Sequence, residues 1–228
     1  MKNKILIWDT SGIDPVRYSL KEDQIQIEKI NAFYAQAGLK TATSSECVSC
    51  EFTYEHNNQR NILVESIANT SCISGKSGTV FLAANGDFSY SFYGSSISVN
   101  VIYSKTEGVS TLRGGTLWKN SCQWTSNLSI EDKSLITITG VLDYSDCAIL
   151  TNDKGLRKQC DLEGVKNFGT CSMLAGMVIS NIISYQKGTI IFKNWAEKDK
   201  RWIPKRTFAE ILNIERDRFD NGSSFWVN

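Results

Sequence analysis

Between residues 80 and 103 apolar and polar side chains alternate with the period of two that a strand uses to send one face to a core. Phe88, Tyr90 and Phe92 are separated by Ser89 and Ser91, and Ile97, Val99, Val101 and Tyr103 alternate again after Gly94. Asn85-Gly86 stands just ahead of the first set, and that dipeptide is the strongest short signal for a two-residue hairpin turn. An antiparallel hairpin with an aromatic face is therefore expected. The β-branched run at 135–142 extends the expectation to at least four antiparallel strands over 80–142, with residues 189–192 as a further strand candidate.

Helical signals flank this region. Ser19-x-x-Glu22 has the form of a capping box, and Leu20, Ile27, Ile30, Phe33 and Tyr34 follow at helical spacing up to Gly38, a suitable C-terminal cap. Thr207-x-x-Glu210 opens a second helix. The expected architecture is α+β: one domain over 1–228 dominated by an antiparallel sheet, with a helix at about 19–38, a β-rich core at about 79–192 and a short helix at about 207–219. A length of 228 residues with 41% hydrophobic content is enough for one such core.

Seven cysteines, at 47, 50, 72, 122, 147, 160 and 171, lie in Ser-, Asn- and Gly-rich contexts, the usual setting of disulfides in an oxidising compartment. A disulfide-stapled fold is expected on that ground, with at least one cysteine left over. The short apolar run Ile5-Leu6-Ile7-Trp8 does not make a signal-peptide core, and residues 173–183 fall short of the roughly 20 apolar residues of a spanning helix. The expected chain is a mature secreted, periplasmic or surface protein without a membrane span.

Catalytic signatures fail at required positions. After the first strand, Asp9-Thr10-Ser11-Gly12 has serine where an aspartic protease needs glycine and a three-carboxylate exonuclease needs glutamate. It also has Ile13 where an Asp-x-Ser-x-Ser magnesium site needs its second serine. A strand followed by a turn is the simpler reading. Gly75-Lys76-Ser77 lacks the upstream glycine of a phosphate-binding loop. Cys47-x-x-Cys50 with His56 has no second pair to complete a zinc site. Neither a metal nor another cofactor is expected. His56, the one histidine, sits among Glu55, Asn57 and Asn58 as a solvated loop residue would.

What remains is a binding surface. Lys193, Lys198, Lys200, Arg201, Lys205 and Arg206 outweigh Glu197 and Asp199 around Trp195 and Trp202, while Trp118 and Trp124 could stack on sugar faces. Trp118, Trp124, Trp195, Lys200, Arg201 and Trp202 are the candidate binding residues. The net charge of +1 makes nucleic acid an improbable partner overall and leaves a glycan or a protein. The order of helix, meander and late cysteines resembles the soluble part of type IV pilin-like subunits, which implies a place in an extracellular appendage. The expected function is a secreted or surface-associated, non-enzymatic binding protein. The alternative is an effector or toxin enzyme domain working through carboxylates with arginine, or through a Cys-His pair, and it requires Asp9, His56, Arg113 or a cysteine to converge in a cleft.

Overall fold

A computed structural model describes residues 4–44, 47, 81–92, 95–103, 128–141 and 147–227. In chain order these form β1 (Lys4–Trp8), α1 (Thr10–Lys21), α2 (Ile27–Ala37), β2 (Leu39–Ser44), β3 (Phe81–Phe92), β4 (Ser95–Tyr103) and α3 (Ile130–Val141). There follow β5 (Cys147–Leu150), α4 (Lys154–Leu162), β6 (Asn167–Phe168), α5 (Thr170–Ile179), α6 (Tyr185–Lys198), a 3-10 turn (Lys200–Trp202) and α7 (Phe208–Asp220).

The sheet runs in the order β3-β4-β2-β1-β5-β6. Every neighbouring pair is parallel except β3 with β4. Parallel neighbours need a crossover, usually helical, so both sheet faces become covered and the central strands lose the alternation of a half-exposed strand. Accordingly Leu6, Ile7 and Trp8 of β1 and all four residues of β5 are buried. Gly38 ends α2 in the left-handed conformation (φ 66°) and turns the chain directly into β2, its carbonyl accepting from the Lys4 amide at 3.1 Å.

The antiparallel-dominated, disulfide-stapled fold is overturned. Only the 81–103 hairpin is antiparallel, and it forms one edge of a parallel sheet. Its register pairs Phe88 with Val99 and Tyr90 with Ile97, so the turn expected at Asn85-Gly86 does not form there: that dipeptide lies at a register shift inside β3 and the reversal falls between Phe92 and Ser95. Residues 135–142 and 189–192 were expected as strands, yet the first falls largely on α3 and the second lies within α6. Each helix has a cap that outweighs β-branching: Ser129 and Asp132 bond reciprocally to each other's backbone amides, and the Ser184 hydroxyl accepts from Lys187 N at 3.2 Å. In α3 the Ser134 and Thr139 hydroxyls both donate to carbonyls one turn back, at 2.6 Å.

The expected helix at 19–38 is two helices. Ser19 does not cap; it is buried in α1, and its hydroxyl accepts the Trp195 indole N–H at 2.7 Å. The capping box at Thr207 and Glu210 does form. Among the described residues no disulfide is found, and Cys160 and Cys171 are buried free thiols. No helix of the described residues is long and apolar enough to cross a membrane.

The centre of the molecule is α5, a helix buried from Thr170 through Val178. Gly176 is required there by space: a Cβ would stand 2.6 Å from Cβ of Trp226. Trp226 is fully buried and packs against Phe33 and Phe168, so the last described segment is a wall of the core.

Candidate functional site

In an open parallel sheet, ligands bind beyond the carboxyl ends of the strands where the strand order reverses. Here that point lies between β1, which leads to β2 on one side, and β5, which leads to β6 on the other. β1 ends at Trp8 and delivers Asp9, nearly fully buried, into the crevice. α1 starts at once, where a turn was expected, and it packs on the end of β5 only because residue 12 is glycine. A Cβ there would stand 2.1 Å from the Leu150 carbonyl oxygen. Pro15 lies inside α1 and has no N–H to give the Ser11 carbonyl one turn back. That carbonyl instead accepts the Asn152 side-chain amide at 2.9 Å.

The side chains of the crevice are cross-bonded. The Asp9 carboxylate accepts the Thr151 hydroxyl at 2.6 Å and a short bond from the Ser11 hydroxyl. Ser11 Oγ in turn accepts the amides of Asn152 and Asp153, both at 3.0 Å. Asn152 bridges to the start of α5 through Thr170, whose hydroxyl also donates to the Gly12 carbonyl at 2.5 Å. Asp153 caps α4, accepting from Leu156 N at 2.7 Å. Asp9 and Asp153 thus both occupy N-cap positions, where a helix dipole favours negative charge.

Asp132, in the first turn of α3, lies close enough to Asp153 to feel its charge. Burial raises the Asp132 carboxyl above the usual carboxylate range, and the Asp153 charge adds to the rise, against bonds from Ser129. The Cys160 thiol behind the crevice is pushed up to about 12, first by burial and then by Asp161, Asp132 and Asp9. At neutral pH it is a protonated, unreactive filler.

Adjoining Asn152 is an open groove of about 440 Å³ between α4, α5, the 3-10 turn and α7. Its lining carries six cations, Lys154, Arg157, Arg201, Lys205, Arg206 and Arg218, against one carboxyl, Glu215. Glu215 is 2% exposed; burial raises its pKa, while the Ser172 hydroxyl and Arg218 oppose the rise. No protein family, curated protein or solved structure matches this chain. Function has to be read from the site itself.

The sequence-derived binding residues divide. Arg201 and Trp202 line the groove, and Lys200 is exposed on the same turn. Arg201 is folded back on Asp199 at 2.6 Å and holds that carboxyl below its usual range. Trp202 is half-buried with its ring 5.8 Å from Tyr18. Trp195 is fully buried, so its ring offers no face to a ligand. Trp118 and Trp124 lie outside the described residues, as do His56, Arg113, Cys50, Cys72, Cys122 and Gly75-Lys76-Ser77. Asp9 was singled out only through motifs that fail, and Asp132 and Asp153 not at all. Their signal was present: Ser129-x-x-Asp132 and Asp153-x-x-Leu156 each open a helix, and the second follows an apolar strand.

Proposed function

We propose that this chain is a divalent-cation-assisted phosphodiesterase acting on a single strand of nucleic acid. One observation carries the reading: the N-cap carboxylates of Asp9 and Asp153 stand at the switch point of a parallel sheet, the Asp153 charge acts on Asp132, and Asn152 and Lys154 on either side of Asp153 line a groove that carries six cations. Cations attract phosphates, and carboxylates in the same path repel them, so the pairing is counterproductive for simple anion binding. It would become productive with a hard cation held by the carboxylates, which would offset their charge beside the phosphate.

The residues fit such an ion. Among the described residues no three carboxylate, imidazole or thiolate groups form a ready-made metal cage. Magnesium does not need one, because it is usually held by one or two carboxylates together with water and the phosphates of the substrate. Asp9 and Asp153 are the residues to hold it. When bound, the ion supplies charge neutralisation and an activated water. Asp132, with its raised affinity for protons, is suited to take the proton of the attacking water. A water oxygen then bonds to phosphorus, the phosphorus–oxygen bond to the sugar breaks, and the leaving oxygen takes up a proton. The near-neutral net charge is no obstacle, because the positive field that matters is local to the groove.

The test is incubation of the full chain with labelled single-stranded RNA and DNA, with Mg²⁺ or Mn²⁺ and with excess chelator. Cleavage abolished by the chelator supports the reading. Binding without cleavage under every metal condition returns the chain to the class of non-enzymatic binding proteins.

A further inference from the structure

We propose that Arg218 is the residue that clamps the backbone phosphate in the groove, with Glu215 as the positioning residue that aims it. This rests on the preceding reading and assigns the phosphate contact within it. The six groove cations are not equivalent. Arg201 is committed to Asp199 through both its Nε and a terminal nitrogen, with a side chain 90% exposed. Arg157 gives its Nε to Asn167 at 3.0 Å. Arg218 alone is fixed from beneath by a buried acid: one terminal nitrogen donates to Glu215 Oε1 at 2.6 Å. Its guanidinium also lies over the Phe168 ring, 5.7 Å from the centroid. Two supports on different sides hold the planar fork while leaving its other donors to the groove, the arrangement that suits bidentate phosphate binding.

Glu215 is built for this task. It is the one carboxyl of an otherwise cationic lining, and its Oε1 also accepts the Ser172 hydroxyl at 2.7 Å. Ser172 in turn accepts the Trp226 indole N–H at 2.9 Å, which anchors the chain of bonds in the core. Among the described residues Glu215 Oε2 has no hydrogen-bond partner although it is buried. A buried carboxyl that is only half satisfied costs stability, and its retention next to a polyanion site calls for a compensating role.

The two roles open to Glu215 predict opposite signs. If it acted only as a negative charge near an anion, Glu215→Gln would tighten binding; if it aims Arg218, the same change weakens it. The experiment measures binding of a short fluorescent single strand in excess chelator over a range of salt. The expected results are about 10-fold weaker binding for Arg218→Ala, with a salt slope lower by about 0.7. Arg218→Lys should keep the slope but not the affinity, since a point charge replaces the fork. Glu215→Gln should weaken binding about 3- to 10-fold at unchanged slope. Ser172→Ala removes one bond to the same oxygen, should weaken binding about 2- to 3-fold, and serves if Glu215→Gln does not fold. Tighter or unchanged binding in Glu215→Gln, or in Ser172→Ala where it stands in, overturns the positioning role. Unchanged binding in Arg218→Ala overturns the clamp. Failure of the wild-type chain to bind any strand overturns the underlying reading instead.

Discussion

The crevice at the end of β1 and the groove beside it are built in opposite ways. Crevice side chains are short, those of Asp9, Thr151 and Thr170 are buried, and they are tied to Ser11 and Asn152 across α1 and α5 by bonds of 2.5–3.1 Å. The charged side chains of the groove are long, and apart from the buried Glu215 they are exposed or half-buried. The contrast separates two tasks. Chemistry needs atoms held within a few tenths of an ångström, which cross-bonded hydroxyls and carboxylates provide. Capture needs only positive potential and reach, which lysine and arginine provide at low structural cost.

The most severe way to test that division is Asp9→Asn. Turnover should fall on the order of 10²–10³-fold, while strand binding in chelator stays equal or tightens because a negative charge has gone. A parallel loss of binding would mean that the two regions are not separate. Next in size is Gly12→Ala. The obstacle to its Cβ is a backbone carbonyl in the middle of the sheet, which cannot swing away as a side chain would. Denaturant unfolding should show a loss of about 1–3 kcal/mol or more, and turnover should drop as well, because α1 carries Ser11 into the crevice.

Asp132→Asn sharpens the comparison from the crevice side. The Asp132 carboxyl is raised in the folded chain, so the folded state holds its proton more tightly than the unfolded state does. Its protonated form favours folding at low pH, and that contribution is lost as pH rises through the folded value. Asparagine cannot ionise, so the variant should melt higher than wild type at pH 8. The gain should shrink as pH falls toward the ordinary carboxylate value of about 4. Lower turnover together with higher stability would mark a residue kept for chemistry. The smallest effect is expected for Arg206→Ala in the groove: about 2- to 3-fold weaker strand binding, with no change in cleavage of bound strand under single-turnover conditions.

Legibility in the sequence follows the same division. The strands at 88–92 and 97–103, the start of α7 and the end of α2 were readable because local residues decide them: alternation, a capping box and Gly38; the register was not, because the Asn85-Gly86 turn signal was absorbed inside β3. The parallel centre was not. β5 has four residues and β6 two, and a short buried strand carries neither alternation nor length to announce it. Residues 135–142 and 189–192 are β-branched or aromatic enough to suggest strands, yet Ser129 with Asp132 and Ser184 cap the helices that contain them. The site was hidden for a related reason. Asp9 and Asp153 are far apart in sequence and reach the same crevice only because β1 and β5 are neighbours in the sheet, whereas a search for short motifs sees only residues adjacent in sequence. The basic segment at 193–206 was visible, and its distal part, from Arg201 to Arg206, lines the groove; Trp195, placed there by spacing alone, turned inward to Ser19.

Pro15 carries a consequence of a different kind. Because it denies Ser11 the usual helical partner, the vacant carbonyl is taken by Asn152, just beyond the end of the neighbouring strand β5. Restoring an N–H at position 15 would let α1 close its own turn and compete with Asn152 for that carbonyl, while the bonds between Asn152 and Thr170 would still hold the crevice to α5. A residue other than proline at position 15 therefore exchanges one tie between α1 and β5 for a regular first turn of α1.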